Sequence, residues 1–301
     1  MNEIVNITTT TLIGLVVPYV SFELIVAINI IAAVAIILNG MQVAHIWYMN
    51  PGPLTNYRMF LVVLGLSDLG LSANRLFASN AIIQRRMLSS RFLCIGTAII
   101  AHSLLLIGCS VLVLVSIDRF LAITRAEKYK ALFFVKRYNM IVYASCLISF
   151  LLYGALAIVW RDKGYKVKGI SSCRMGSPQV PFAGIISVAI IFLELVIIVI
   201  IYSQIIRRLA DYLKAAPPGT QSSISAAVCT LSSIIACKIM FWLPIMITVL
   251  MRGIQVDCSF CEGLGLVTMS LNCVANPILY GLTSREYRQA VTTKVHTSFG
   301  L

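Results

Sequence analysis

The chain has 301 residues, of which 59% are hydrophobic and only 12% charged, and its mean hydropathy is +0.92. Soluble domains carry about 25% charged residues, so these values exclude an ordinary soluble enzyme and indicate a chain that is solvated largely by lipid. The formal net charge of +13 could suggest a nucleic-acid partner. The basic residues are scattered between apolar segments and form no basic domain, so no nucleic acid is expected.

Seven apolar segments are long enough to cross a membrane, since a spanning helix needs roughly 20 mostly apolar residues. The connections between them are short, polar and rich in turn residues. The sequence therefore predicts an all-α membrane protein, a single seven-helix domain over residues 1–301, with an N-terminal segment at 1–19 and a C-terminal segment at 284–301. The predicted helices cover residues 20–48, 57–83, 92–124, 138–160, 181–208, 223–251 and 263–283.

An odd number of spans places the two termini on opposite sides of the membrane. With the N-terminus outside, a modest majority of Lys and Arg falls inside, which is the usual bias, although the outer face is itself basic. A glycosylation sequon at Asn6 agrees with an extracellular N-terminus. Residues 1–11 lack the basic start of a cleaved signal peptide, so we expect the first helix to direct insertion into the plasma membrane.

Four ionisable residues lie well inside the apolar spans. Helix 2 contains Asp68 and Arg75, helix 5 contains Glu194, and helix 6 contains Lys238. A charge within a spanning helix is costly unless it is paired or hydrated, so each of the four is a candidate for function.

Three helices carry short polar or proline-containing motifs. Helix 3 begins near Cys94 and ends in Asp118-Arg119-Phe120, helix 6 contains Phe241-Trp242-Leu243-Pro244, and helix 7 contains Asn276-Pro277-Ile278-Leu279-Tyr280. A proline within a spanning helix removes a backbone hydrogen bond and kinks the helix. Together these features resemble the rhodopsin-like G-protein-coupled receptors, which have Tyr at the position of Phe120 and Cys at that of Phe241.

The resemblance implies a receptor, not an enzyme, that couples an extracellular ligand to a heterotrimeric G protein. Residues 284–290 resemble the short amphipathic eighth helix that lies on the inner surface of the lipid bilayer. In the family, an Arg paired to its neighbouring Asp holds a resting state and is released to contact the G protein. The residues that the resemblance assigns to this switch are Asp118, Arg119, Tyr129, Tyr202, Asn276, Pro277 and Tyr280.

The resemblance also implies the place of the ligand. A guanidinium at the depth of the ligand cavity, under a basic outer face, favours an anionic ligand, which would be a small molecule with a carboxylate or phosphate or an acidic peptide. Ala101 stands where amine receptors have Asp, and Ser270 stands where opsins have the lysine that binds retinal, so neither an amine nor retinal is expected. The residues placed around this ligand are Arg75, Ala101, His102, Trp242 and Ser270.

Two of these residues have alternative interpretations. Arg75 could pair with Glu23 near the outer end of helix 1 instead of binding a ligand. His102 could be an interior histidine with a hydrogen-bond partner and no ligand contact.

Asp68, together with Asn272 and Asn276, resembles the sodium pocket of the family, and such oxygen atoms suit a hard cation. A polar network with water and no sodium is the alternative. No other cofactor is expected.

Glu194 and Lys238 occupy positions that meet beneath the ligand cavity in the family and relay its state inward, as helix 6 swings about Pro244. We expect the two residues to form a buried ion pair here, because each buried charge requires a partner. Separate water or backbone partners for each are the alternative.

Four cysteines fall in outer segments, where disulfides persist. The resemblance implies a bridge between Cys94 and Cys173. Cys258 and Cys261 are expected to form a second one, although metal binding or pairing with other loops is also compatible with their spacing.

Two other classes of function remain open. A channel or proton-coupled transporter could use the four intramembrane charges as a relay, although the sequence shows no internal repeat of the kind found in duplicated transporters. A receptor-like protein that acts as a partner for another receptor, without signalling itself, is the second.

Overall fold

The computed structural model describes residues 22–48, 56–83, 91–125, 128–129, 133–159, 165–167, 173–175, 182–215, 232–233, 236–237, 239–251, 256 and 258–283. Within these ranges it contains seven helices. They are α1 (Phe22–Tyr48), α2 (Asn56–Ile83), α3 (Arg91–Thr124), α4 (Phe133–Val159), α5 (Phe182–Ala215), α6 (Ile239–Met251) and α7 (Ser259–Thr283). The predicted seven-helix bundle is confirmed, while the predicted eighth helix lies outside the described residues.

A short hairpin between α4 and α5 is a small addition to the all-α prediction. Strands β1 (Tyr165–Val167) and β2 (Cys173–Met175) pair antiparallel, with Lys166 opposite Arg174. Strand β2 lies against α3 and α5. Pairing satisfies backbone groups that would otherwise depend on water in this polar connection.

Two helices extend beyond the predicted spans at the inner end of the bundle, which we define as the end nearest Tyr48; the end nearest Phe22 is the outer end. Helix α4 begins at Phe133 instead of residue 138, and α5 continues to Ala215 instead of 208. A helix satisfies its own backbone hydrogen bonds in water as well as in lipid, so it continues into polar sequence that a hydropathy pattern leaves out.

The bundle has an apolar outer surface. Six helices are long and apolar enough to cross a membrane, and α6 adds a shorter apolar helix. Only 17% of the apolar window of α4 and 22% of that of α5 is buried, against 56% for α2 and 50% for α3. Large side chains such as Leu147, Leu151 and Phe192 point away from the bundle. This distribution fits a protein with α2 and α3 near its centre and α4 and α5 facing lipid.

The largest core cluster surrounds the inner half of α3. Val111 and Leu112 of α3 pack with Phe60 of α2, Tyr138 of α4 and Ile198 of α5. The rings of Phe60 and Tyr138 meet edge to face, with centroids 5.2 Å apart. Side chains from three other helices therefore hold α3 in place at the level where its polar motif begins.

Several hydroxyl groups in the helices are satisfied locally. Ser72, Ser116 and Ser149 each donate to the carbonyl oxygen four residues earlier in the same helix. Such a bond needs no partner helix, so a serine in an apolar span is not by itself the sign of a site. Polar side chains that reach another helix are the informative ones.

Candidate functional site

Asp118 and Arg119, at the inner end of α3, form one cluster with Tyr129. Arg119 Nε lies 3.7 Å from Asp118 Oδ2, and the Tyr129 hydroxyl donates to Asp118 Oδ1. The Asp118 side chain is 2% exposed, whereas that of Arg119 is 32% exposed. Both carboxylate oxygens of Asp118 therefore have a partner, and Arg119 is held by its neighbour while part of it stays accessible from the inner side.

Tyr202 of α5 and Tyr280 of α7, assigned to the same switch, belong to separate clusters. Tyr202 is buried in the core around α3. Tyr280, after the proline of α7, packs against Ile46 of α1 and Leu61 of α2. In this conformation each tyrosine holds its own helix against the bundle.

Polar side chains of α1 and α2 form hydrogen bonds with α7 in the middle of the bundle. Asn276 Nδ2 donates to Asp68 Oδ2. Asn39 Nδ2 donates to the carbonyl oxygens of Cys273 and Ala35, each at 2.8 Å. Cys273 lies four residues before Pro277, whose missing N–H would otherwise have bonded that carbonyl. Asn39 therefore replaces the donor that the proline removes.

The same layer contains buried oxygen atoms that lack a donor among the described residues. These atoms are Asn39 Oδ1 and Asn272 Oδ1. A buried acceptor without a partner is costly, and either water or a hard cation would satisfy it. The predicted sodium ion stays a prediction.

Arg75, in the outer half of α2, reaches across to α7. Its Nη1 donates to the carbonyl oxygen of Leu266 at 3.3 Å and to Ser270 Oγ. The hydroxyl of Ser270 donates in turn to the same carbonyl at 2.8 Å. No carboxylate among the described side chains, including that of Glu23, lies within ion-pair distance of Arg75. Arg75 is thus a cation held by neutral groups of α7.

Ala101 and His102 are neighbours on α3 but face different helices. Ala101 packs beside Leu71 of α2 and Cys273 of α7, on the side of the bundle where Arg75 meets Ser270. The ring of His102 lies 5.2 Å from that of Tyr153 on α4, and its Nδ1 is 2.8 Å from the carbonyl oxygen of Ala98. The contacts of His102 agree with an interior histidine, and its predicted ligand contact stays a prediction.

Glu194 links α5 to α3. Ser110 Oγ donates to Glu194 Oε1 at 2.7 Å, while Glu194 Oε2 and Trp242 Nε1 are buried without a hydrogen bond to any described residue. Lys238, the predicted ion-pair partner, lies outside the described residues, so the pair stays a prediction. The residues around a cavity of about 10 Å³ at this junction are Cys109, Leu112, Ile191, Glu194, Leu195, Ile198 and Trp242.

A disulfide closes the turn at the start of α7, as the sequence suggested. It joins Cys258 to Cys261, whose Cα atoms are 5.2 Å apart, and Thr248 Oγ1 of α6 donates to the carbonyl oxygen of Cys261 at 2.9 Å. The turn is thereby connected to α6, where the same hydroxyl lies 2.8 Å from the carbonyl oxygen of Pro244, so the two carbonyls share its single proton.

Two further predictions concern residues whose side chains the structure does not describe. The side chains of Cys94 and Cys173 are not among those described, and Asn6 precedes the first described residue. The predicted bridge between the two cysteines and the predicted glycosylation stay predictions.

The match to a known family extends over most of the residues described above. The sequence pattern of the seven-transmembrane receptors of the rhodopsin family matches residues 39–280. The chain belongs to this family. No individual curated protein matches the sequence. Rhodopsin-family receptors are multi-pass membrane proteins that signal through a ligand and a G protein, and are generally not enzymes.

Two side chains of this receptor have contacts that its sequence did not indicate. Ser110 donates to Glu194, and Asn39 compensates for Pro277. The proline signalled that one carbonyl in α7 would lack its donor, but not which helix would supply a new one. Ser110 carried no signal of its own, because it resembles the serines that bond within their own helix.

Proposed function

We propose that this receptor lies in the plasma membrane with its N-terminus outside, and that it binds an anionic extracellular ligand, either a small molecule or an acidic peptide. Binding in the outer half of the bundle activates a heterotrimeric G protein at the inner end. In this proposal the chain has no catalytic activity.

Arg75 is the observation that carries the proposal. A cation within a membrane span is costly unless it is paired or hydrated. Arg75 is partly buried and interacts electrostatically with Asp68, but the groups that accept its hydrogen bonds, the carbonyl of Leu266 and the hydroxyl of Ser270, are neutral. An anion that enters from the outer end would supply a directly bonded counter-charge. The Nε and Nη2 groups make no hydrogen bond with a described residue, so both are available to donate to its oxygens.

The route from this site to the inner end runs along α7. Ser270, Cys273 and Asn276 follow one another at about one-turn intervals, and each is bonded by a side chain of α1 or α2. A ligand that changes the outermost bond acts on the same helix that contacts Asp68. It shifts the equilibrium only to the extent that it binds the active and resting states differently.

At the inner end, the G protein would bind Arg119 after its release from Asp118. The resting arrangement on this face is a pair at 3.7 Å in which the arginine is already partly accessible. The G protein would therefore compete with a partly exposed pair and not with a buried one.

We also propose that a sodium ion binds in the middle of the bundle to Asp68 and Asn272 of the predicted set, with Asn39 in place of Asn276, whose amide donates to Asp68. The two buried amide oxygens without donors support this assignment, since they would be ligands of the ion instead of orphan acceptors.

The test is a cell assay of second messengers with a panel of carboxylate and phosphate metabolites. We expect a response in the wild-type chain and none in Arg119→Ala or Arg75→Gln. Arg119→Ala should retain binding of the active metabolite, whereas Arg75→Gln should lose it. Arg125→Ala, which removes an exposed arginine near the same end of α3, is the matched control and should respond normally. Signalling that survives Arg119→Ala would contradict the proposed coupling.

A further inference from the structure

Ser270 holds the guanidinium of Arg75 in one orientation. The hydroxyl proton of Ser270 points to the carbonyl of Leu266, which leaves the lone pairs of Oγ to accept from Arg75 Nη1. The same Nη1 also donates to that carbonyl. Ser270 is only 2% exposed, so its rotamer is confined by packing. One end of the planar guanidinium is thus fixed to α7 before any ligand arrives.

The opposite edge of the guanidinium carries the donors that remain. Nε and Nη2 point in the same direction in one plane, and this fork matches the two oxygens of a carboxylate in a bidentate pair. Because Nη1 is already bonded to α7, a ligand at the free edge does not need to break those bonds.

The polarity of the surroundings limits the charge of the ligand. The neighbouring cluster is apolar and includes Leu71, Ala101 and Met269. A dianion loses more hydration energy than a monoanion on entering such an apolar setting, so a monoanion is favoured.

From these observations we infer that the ligand group recognised by Arg75 is a monocarboxylate, bound through Nε and Nη2, and that Ser270 is the residue that positions the guanidinium for it. This inference rests on the proposed anionic ligand and specifies its chemistry. It also changes the role of Ser270, which acts on the ligand through Arg75.

The inference is tested with the purified full-length chain in lipid nanodiscs, by thermal unfolding at increasing concentrations of defined probes. The probes are acetate, hexanoate and benzoate, their neutral amides, and phenyl phosphate at a pH above the second pKa of its phosphate, about 6. We expect at least one carboxylate to raise the unfolding midpoint, its amide to have no effect, and phenyl phosphate to bind at least about tenfold more weakly than benzoate. Arg75→Gln should abolish the difference between carboxylate and amide.

Ser270→Ala should weaken the apparent affinity for the carboxylate by about threefold to tenfold, as expected for one lost hydrogen bond that orients the binding group. Thr268→Val is the matched control, because it removes a hydroxyl of the same helix that bonds only the carbonyl of Gly265. Ser270→Cys serves as a second variant if Ser270→Ala accumulates poorly. The carboxylate affinity is compared with the unfolding midpoint of the unliganded variant, since a purely structural defect would also lower that midpoint.

Each part of the inference can fail separately. Carboxylate affinity that is lost in Arg75→Gln but unchanged in both Ser270 variants would overturn the positioning role and leave the anion site intact. Tighter binding of phenyl phosphate than of benzoate would overturn the monocarboxylate. If no anion stabilises the wild-type chain, the carboxylate inference fails as a whole, whereas coupling through Arg119 is judged independently in the cell assay.

Discussion

The inner end and the outer half of this receptor differ in the partners of their charged side chains. At the inner end, Asp118 has a partner for each oxygen, Arg119 on one side and Tyr129 on the other. In the outer half, Arg75 meets a carbonyl and a hydroxyl, and no described carboxylate is within ion-pair distance. In the proposed function, the G protein opens the paired charges of the inner end, whereas an external anion supplies the direct partner that Arg75 lacks among the described carboxylates.

Glu194 lies between these two extremes. One of its oxygens accepts from Ser110, and the other is buried without a hydrogen bond to a described residue. Whether this middle level behaves like the inner end or like the outer half depends on Lys238.

The largest expected effect on stability is at Glu194 and Lys238. If they form a buried pair, Glu194→Gln and Lys238→Met should each lower the free energy of unfolding by about 3–5 kcal/mol, because each leaves one buried charge without its partner. The loss of stability is measured by surface expression in cells and by the thermal unfolding midpoint in detergent. The exchanged double variant, Glu194→Lys with Lys238→Glu, should recover part of the loss, and Ser203→Ala on an exposed face of α5 should change nothing. An exchange no better than the single variants would rule out the pair.

A change of opposite sign is expected at Arg75. Arg75→Met should raise the free energy of unfolding of the unliganded receptor by about 1–4 kcal/mol, because it removes a partly buried charge that forms no direct ion pair with a described carboxylate. The same variant should not respond to any anionic ligand. Arg58→Met at the inner end of α2 is the control and should not stabilise the receptor, because it removes interactions that Arg58 makes. A less stable Arg75→Met receptor would mean that Asp68 and the groups of α7 already compensate the charge of Arg75.

A smaller effect is expected at Tyr129. Tyr129→Phe removes one hydrogen bond to Asp118 but leaves Arg119 in place, so it should favour the active state by about 1.5 kcal/mol, the lower range for a bond to a charged group. Ligand-independent second-messenger production in cells is the readout, normalised to surface expression. Tyr143→Phe, at an exposed position of α4, provides the matched comparison. Unchanged basal signalling would show that the Tyr129 bond does not contribute to the resting state.

The smallest effect concerns the proposed sodium ion. Replacing sodium with choline should lower the free energy of unfolding by about 1 kcal/mol, the stabilisation expected from a ligand present at a few times its dissociation constant. The shift should vanish in Asp68→Asn, because that substitution removes the only carboxylate of the site. A sodium effect that persists in the variant would place the ion elsewhere.

Hydropathy alone determined the seven helices, and the motifs assigned the predicted switch residues. Lipid offers no hydrogen bonds to the backbone, so long apolar segments can only be helices, and this follows from residues that are neighbours in the chain. Pro277 likewise indicated that one carbonyl oxygen in α7 would lack its backbone donor.

The tertiary structure decided which partners meet across the bundle. It supplied Asn39 to that carbonyl, turned Arg75 toward Ser270 instead of Glu23, and placed His102 against α4. With 3.6 residues per turn, each step along a helix rotates a side chain by about 100°, so a small change in rotation or depth brings a different helix into reach. Those rotations are set by the packing of all the helices together, and no local segment contains them.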